Sequence, residues 1–202
     1  MRNKVAVSTY SFSNILYSEK MPDLESLFQT IHDLGLDGVE IVAFNITDQA
    51  AHSPMGPRDP DKSPDPLLPD GTSVTPGETP IHKMDPEKMK ALLEQMSRVG
   101  RTRPSSIPKI KELLERYNLE VCNMPVDFGD IGNPNQEERM ADLEMMKMWI
   151  DIAAELGSPS VRINSGHINY DDNGQLDFSI CIDSYQKLAE YGEKKNVVIT
   201  ME

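Results

Sequence analysis

The sequence predicts an α/β fold in which parallel strands alternate with helices and close toward a barrel. Two observations support this prediction. Five short apolar runs alternate with segments of helical periodicity, at intervals of roughly 35–40 residues once one long proline-rich stretch is set aside. Acidic and histidine residues then follow the ends of several of these strands, which is typical of barrels because their sites are assembled from many strand ends.

The composition favours a single globular domain over 1–202 that does not bind nucleic acid. Of the 202 residues, 38% are apolar, and 20 basic against 33 acidic residues give a net charge of −13. Binding to a phosphate backbone would therefore oppose the field of the whole molecule. The two cysteines, Cys122 and Cys181, lack a short metal-ligand spacing, so reduced thiols and a cytoplasmic location are expected. No window approaches the ~18 apolar residues of a membrane span, so no membrane partner is expected.

The first unit runs from a strand near 5–8 through a helix to a second strand near 39–42. The helix begins after Pro22 and Asp23, and Gly35 ends it as a C-terminal cap. Apolar residues at i, i+3, i+4 and i+7 give the helix a stripe that should face the core. They are Leu24, Leu27, Phe28, Ile31 and Leu34.

The second strand leads into a proline-rich insertion over 45–84. Its central part, 53–80, is dense in proline, which removes backbone donors and prevents a helix or a central strand. Because the segment leaves the carboxyl end of a strand, we expect it on the same face as Glu40 and Glu202, as a lid or rim. The alternative is a solvated insertion without a role in the site.

Three further units follow the insertion. Helices are predicted from 85 to about 96, over 107–117, 135–156 and 179–194, and strands near 119–124, 160–164 and 197–201. The last strand is short, apolar and β-branched, so it is predicted to be buried. The apolar stripes of the last two helices are predicted to face the core. They are Met140, Leu143, Met146, Trp149, Ile152, Ala153 and Leu156 in the first, and Ile182, Tyr185, Leu188 and Ala189 in the second.

Alternation of strands and helices leaves two architectures, a doubly wound open sheet and a barrel. The first strand is not followed by a Gly-x-Gly-x-x-Gly turn, and no P-loop lysine motif occurs, so neither nucleotide-binding form of the open sheet is supported. Candidate residues instead end four strands: Glu40, Asp127, His167 and Glu202. We therefore predict the first five units of a barrel, with all five strands parallel and in neighbouring order.

The chain resembles the sugar isomerase/epimerase superfamily, the xylose isomerase-like TIM barrels of (β/α)8 type. Three stretches show the resemblance: 34–41 (LGLDGVEI), 156–166 (LGSPSVRINSG) and 197–202 (VVITME). In members of this family, the glutamate that ends the fifth strand is a ligand of a divalent metal. In the ketose epimerases it is also an acid/base on the substrate carbon. The resemblance assigns both roles to Glu202.

The resemblance implies a metal-dependent isomerase or epimerase that acts on a sugar or sugar-like polyol by proton transfer through an enediolate. The implied cofactor is Mn²⁺ or Mg²⁺, with Co²⁺ or Zn²⁺ as alternatives. Glu40, Arg162 and His167 are the candidate substrate contacts. Arg162 lies inside a predicted strand, where an unpaired guanidinium is costly, so it should meet a carboxylate, with Glu40 and Glu202 as candidates. For each of the three, a structural or solvated role remains an alternative.

The family's other metal ligands lie on later strands, which this sequence lacks. A complete barrel needs ~250 residues, so we expect the chain to be a barrel truncated after its fifth strand and inactive alone. The open edges of such a sheet favour self-pairing, which leaves a homo-oligomer open. Two other functions remain: an abasic-site endonuclease-like barrel, for which His52 and His82 are the available histidines, and a non-catalytic binding protein.

Overall fold

A five-stranded parallel sheet is the centre of the structure. The computed structural model describes residues 3–48, 100–171 and 173–202. The strands of the sheet are β1 (Ala6–Ser8), β2 (Gly38–Glu40), β3 (Glu120–Val126), β4 (Ser160–Ile163) and β7 (Val198–Met201). They lie in the order β1-β2-β3-β4-β7, and every neighbouring pair is parallel. The predicted order and direction of the five strands are confirmed.

Four helices connect the strands over the described ranges. They are α1 (Leu24–Asp33), α2 (Ile107–Arg116), α3 (Gln136–Glu155) and α4 (Ser179–Glu193). Local polar contacts fix where two of them begin. The Asp23 carboxylate accepts a hydrogen bond from the Ser26 backbone N–H at 2.8 Å, and the Asn135 side chain accepts from the first turn of α3. Such caps satisfy N–H groups that have no partner inside the helix.

The register of the strands separates an apolar face from a polar face. Val39 pairs with Val121, Met124 pairs with Val161, and all four side chains are buried in one cluster with the helices. Because successive side chains of a strand point to opposite faces, the residues between them lie on the face away from the helices. That second face carries the polar side chains that form the candidate site.

The β2–β3 pairing contains a bulge at Cys122. Val39 pairs with Val121, but the next residue, Glu40, pairs with Asn123, so β3 has one extra residue at this point. Bulges of this kind bend a strand and change the direction of the side chains beyond them. Here the extra residue brings Asn123 opposite Glu40.

Several residues that were predicted to lie in the core are exposed. The apolar spacing that predicted them extends to positions that the rest of the protein does not cover. Leu34, Met140 and Ile182 are exposed by 63%, 41% and 54%, and Ala189 is also exposed. The prediction of a buried last strand is also wrong. Val198 and Met201 of β7 are exposed by 62% and 70%, because β7 lies at the edge of the sheet as described.

Two features were not predicted from the sequence. A hairpin of β5 (Asn169–Tyr170) and β6 (Leu176–Asp177) follows β4, and short 3-10 helices at Thr9–Phe12 and Ala43–Ile46 follow β1 and β2. The predictions for the segment 53–80, the helix from 85, and the histidines His52 and His82 lie outside the described residues. Within the described ranges, no helix is both long and apolar enough to cross a membrane.

We predict that Leu→Ala substitutions at two positions in or next to α1 differ strongly in their effect on the free energy of unfolding. Leu27 in α1 is fully buried, whereas Leu34, just after α1, is exposed. Leu27→Ala should lower the free energy of unfolding by about 2–5 kcal/mol, because it removes buried apolar atoms and leaves a cavity. Leu34→Ala should change it by no more than about 0.5 kcal/mol. Urea unfolding measures both, and equal losses would contradict the described packing of α1.

Candidate functional site

Arg162 joins two carboxylates at the carboxyl ends of three neighbouring strands. Its Nη2 lies 2.5 Å from Asp127 Oδ1, and its Nη1 pairs with Glu202 Oε2. Asp127 follows β3, Arg162 lies in β4, and Glu202 follows β7. The prediction that Arg162 meets a carboxylate is confirmed, with Glu202 as one partner and Asp127 as the other. Asp127 is predicted from the sequence at a strand end, but its pairing with Arg162 is not.

The backbone also fixes Glu202 beside β4. Its N–H donates to the carbonyl oxygen of Ile163 at 3.2 Å, and its carbonyl oxygen accepts from the Ser165 N–H at 3.2 Å and the Ser165 hydroxyl at 2.9 Å. The Glu202 side chain itself is 58% exposed. The carboxylate is therefore held at its base and accessible at its tip, as contact with a small molecule would require.

Two polar atoms at the end of β4 have no hydrogen-bond partner among the described residues. They are Nε of Arg162 and Oδ1 of Asn164, and both atoms are buried. A buried donor or acceptor without a partner costs about 1–3 kcal/mol, so a water molecule or a ligand atom that reached them would be bound favourably.

Glu40 belongs to a separate row of polar side chains. Asn123 donates from Nδ2 to Glu40 Oε2 at 2.9 Å, and its Oδ1 accepts from the Ser160 hydroxyl at 2.8 Å. These three residues lie on β2, β3 and β4 and cross the sheet on its polar face. Glu40 is therefore hydrogen-bonded to Asn123. It was one of the two carboxylates predicted to pair with Arg162, and the ion pairs of Arg162 are instead with Asp127 and Glu202.

The thiol of Cys122 lies in the same neighbourhood. Burial raises the pKa of this thiol, and the negative charge of Glu40 raises it further. Burial also raises the pKa of the Cys181 thiol, with a smaller contribution in the same direction from Asp130. Since the thiolate is the reactive form, neither cysteine is activated as a nucleophile at neutral pH.

His167 lies on the loop after β4, next to Asp130 on the loop after β3. The His167 backbone N–H donates to Asp130 Oδ1 at 2.7 Å, and its Nδ1 lies 3.7 Å from Asp130 Oδ2. Asp130 is not among the candidate residues predicted from the sequence. The two residues are 37 positions apart, and only the parallel pairing of β3 and β4 brings their loops together.

A buried carboxylate supports the loop that carries Asp130. Asp142 in α3 has a 7% exposed side chain, pairs with Arg101 at 2.7 Å, and accepts the Asp130 backbone N–H at 2.9 Å. Burying a charge is costly unless it is paired and hydrogen-bonded, and here both conditions are met. The rim of the site is thus connected to the core through α3.

The described residues do not by themselves form a metal site. No group of three or more His, Cys, Asp or Glu side chains within these ranges could hold a metal ion. Asp127 and Glu202 are oxygen ligands of the type that hard divalent cations prefer, but Arg162 pairs with both. What this part of the chain offers is a fixed carboxylate, a guanidinium and a histidine on the loop after β4, which suit proton transfer and the binding of hydroxyl groups.

Comparison with known proteins gives one family match. The family model described as xylose isomerase-like TIM barrel matches residues 84–202. No curated protein matches the chain in sequence.

Solved structures of similar fold include sugar epimerases. The 3-keto-D-glucoside 4-epimerase YcjR from E. coli is 14% identical with a TM-score of 0.55, over 99% of this chain and 56% of that one. The D-psicose 3-epimerase from Clostridium cellulolyticum H10, solved with D-tagatose, is 11% identical with a TM-score of 0.51, over 98% and 51%. The IolI protein with a bound zinc atom is 10% identical with a TM-score of 0.55, over 98% and 51%. The chain thus spans about half the length of these proteins.

We predict that Arg162→Gln destabilises the chain by about 1–3 kcal/mol, because it leaves Asp127 and Glu202 close together without a positive charge between them. The matched control is Arg103→Gln. Arg103 pairs with Glu155 on the surface, so its loss should cost no more than about 1 kcal/mol. Chemical denaturation measures both. High salt should reduce the penalty at Arg162 by screening the repulsion, and an equal effect of the two variants would contradict a special role for the Arg162 bridge.

We predict that Glu40→Gln increases the alkylation rate of Cys122. Removing the carboxylate charge lowers the pKa of the thiol and raises the thiolate fraction at a given pH. The increase should remain below about tenfold, because burial is the larger cause of the shift. Alkylation by iodoacetamide, followed by peptide mass spectrometry, measures the rate, with Cys181 as the internal control. A slower reaction at Cys122 would place Glu40 elsewhere.

Proposed function

Because the chain belongs to the family of xylose isomerase-like TIM barrels, whose model matches more than half of it, we propose that the protein is a sugar isomerase or epimerase. The proposed substrate is a small sugar or polyol, with no nucleic acid and no membrane as partner. The net charge of −13 supports a small ligand over a phosphate backbone.

The observation that carries the proposal is the position of Glu202. Its carboxylate follows the last strand of the sheet, at the edge where barrels of this kind hold their sites. Arg162 orients the side chain from one side, and hydrogen bonds to β4 and Ser165 hold its backbone. A carboxylate in a fixed position can act as a general base only if a substrate reaches it, and its 58% exposure provides that access.

In the proposed reaction, Glu202 removes a proton from a carbon next to the carbonyl group of an open-chain sugar. The electron pair moves to the carbonyl oxygen and gives an enediolate, and return of a proton to a carbon completes isomerisation or epimerisation. Arg162 keeps Glu202 in position and carries the positive charge of this edge. His167, on the adjacent loop, is the proposed contact for a substrate hydroxyl, and Glu40 is a second one, deeper on the polar face.

We also propose that the protein uses a divalent metal, Mn²⁺ or Mg²⁺, with Zn²⁺ and Co²⁺ as alternatives. A metal in such a site would stabilise the negative charge of the enediolate. Support comes from the oxygen chemistry of Glu202 and from the zinc atom in the structure of IolI. The described residues supply one proposed ligand, Glu202, so the other ligands would have to come from outside them.

We predict that Glu202→Gln lowers kcat/KM of the protein for its ketose substrate by a factor of about 10² to 10⁴. The amide keeps the shape of the side chain but cannot accept a proton. Glu193→Gln is the matched control, since Glu193 is exposed at the end of α4. Turnover of D-tagatose, D-psicose and L-ribulose, followed by chromatography, measures the rates, and circular dichroism checks the fold.

Full activity of the Glu202→Gln variant would show that another residue is the base. Absence of turnover on every sugar and polyol tested with the unmodified protein would contradict the proposed function itself. A loss of activity equal in Glu202→Gln and Glu193→Gln would indicate a general effect of charge, and would also contradict the specific role of Glu202.

A further inference from the structure

The loops that follow β3 and β4 are joined by one side chain, that of Asp130. Its Oδ1 accepts two backbone N–H groups, from Gly132 in its own loop at 3.1 Å and from His167 in the next loop at 2.7 Å. Asn169 adds a second link, because its Nδ2 donates to the Gly132 carbonyl oxygen at 2.8 Å. The position of the His167 backbone is therefore set by the loop after β3.

Close packing leaves little freedom at this junction. A Cβ on Gly166 would lie 2.3 Å from Asp130 Oδ1, and the φ of +80° at Gly166 is a conformation that other residues rarely adopt. A Cβ on Gly132 would lie 2.8 Å from the His167 carbonyl oxygen. The two loops therefore approach each other backbone to backbone, and Asp130 is held between them.

The second oxygen of Asp130 faces the imidazole of His167. Oδ2 lies 3.7 Å from Nδ1, which is longer than a hydrogen bond but close enough for the carboxylate charge to act on the ring. A carboxylate only accepts hydrogen bonds, so it favours the tautomer of the neutral ring in which Nδ1 carries the proton. In that tautomer Nε2 has a free lone pair. The His167 side chain is 60% exposed, so a ligand can reach the ring.

We propose that Asp130 is a positioning residue that fixes His167 with its proton on Nδ1 and presents Nε2 as a hydrogen-bond acceptor at the rim of the site. Through this acceptor the protein would bind a ligand that offers a hydroxyl donor, such as a sugar or polyol. The identity of the ligand rests on the proposed function, whereas the tautomer of His167 does not.

The test is the tautomer of His167 in the ligand-free protein, measured by ¹⁵N NMR of the imidazole nitrogens at a pH high enough for a neutral ring. In the unmodified protein we expect the proton on Nδ1. In Asp130→Asn, the side-chain carbonyl can still accept from His167 and Gly132, but an amide nitrogen that only donates replaces Oδ2. We therefore expect the proton of His167 to move to Nε2 while the loop contact persists.

His32 provides an internal control in the same spectra. Its Nδ1 lies 3.0 Å from the Tyr117 carbonyl oxygen, which only accepts, so the neutral ring carries its proton on Nδ1 in both proteins. A His167→Gln variant assigns the signal, and Asp130→Ala removes both the loop contact and the tautomer preference.

A proton on Nε2 of His167 in the unmodified protein overturns the proposal, whether or not any variant folds. An unchanged tautomer in a folded Asp130→Asn variant overturns it as well, because Asp130 would then serve only to join the loops. Neither measurement needs substrate or turnover. A protein that fails to act on any sugar but shows the expected tautomers would therefore contradict the proposed function and leave the role of Asp130 intact.

Discussion

Parallel pairing in a fixed register is the constraint on which the rest of the structure depends. Because all five strands run the same way, their carboxyl ends meet at one edge, and residues far apart in the sequence become neighbours there. Because side chains alternate along each strand, the helices cover one face with apolar residues and leave the other polar. A slip of one residue would reverse both faces, so the candidate site and the core are specified by the same pairing.

The same ion pairs stabilise that edge of the sheet and position the carboxylate proposed to act on the substrate. Arg162 is a single cation between the carboxylates of Asp127 and Glu202, in a chain of net charge −13. Because these three side chains are partly exposed, solvent weakens the attraction between Arg162 and the carboxylates and also lowers the cost of desolvating them. Such weak pairing suits a carboxylate that must also contact a ligand.

Local and periodic features could be predicted from the sequence. The start of the first helix after Asp23, the strand order and a carboxylate partner for Arg162 follow from turn chemistry, spacing and the cost of an unpaired buried charge. The predicted burial of the last strand, which Val198 and Met201 contradict, rested on apolar composition alone, whereas the predicted strand order already places that strand at an edge. The contact of Asp130 with His167 depends on the shapes of two loops, and no sequence spacing encodes it.

The packing of Trp149 gives the chain a built-in optical reporter. This is the only tryptophan in the sequence, it is fully buried, and its Nε1 donates to the Gly100 carbonyl oxygen at 2.9 Å. Its ring lies 5.5 Å from that of Phe128, which in turn fills the space beside Gly100. Tryptophan fluorescence therefore originates from one junction, where the backbone at Gly100 meets α3 and the loop after β3. A shift of its emission to longer wavelength would report release of that junction, even while the other helices stay folded.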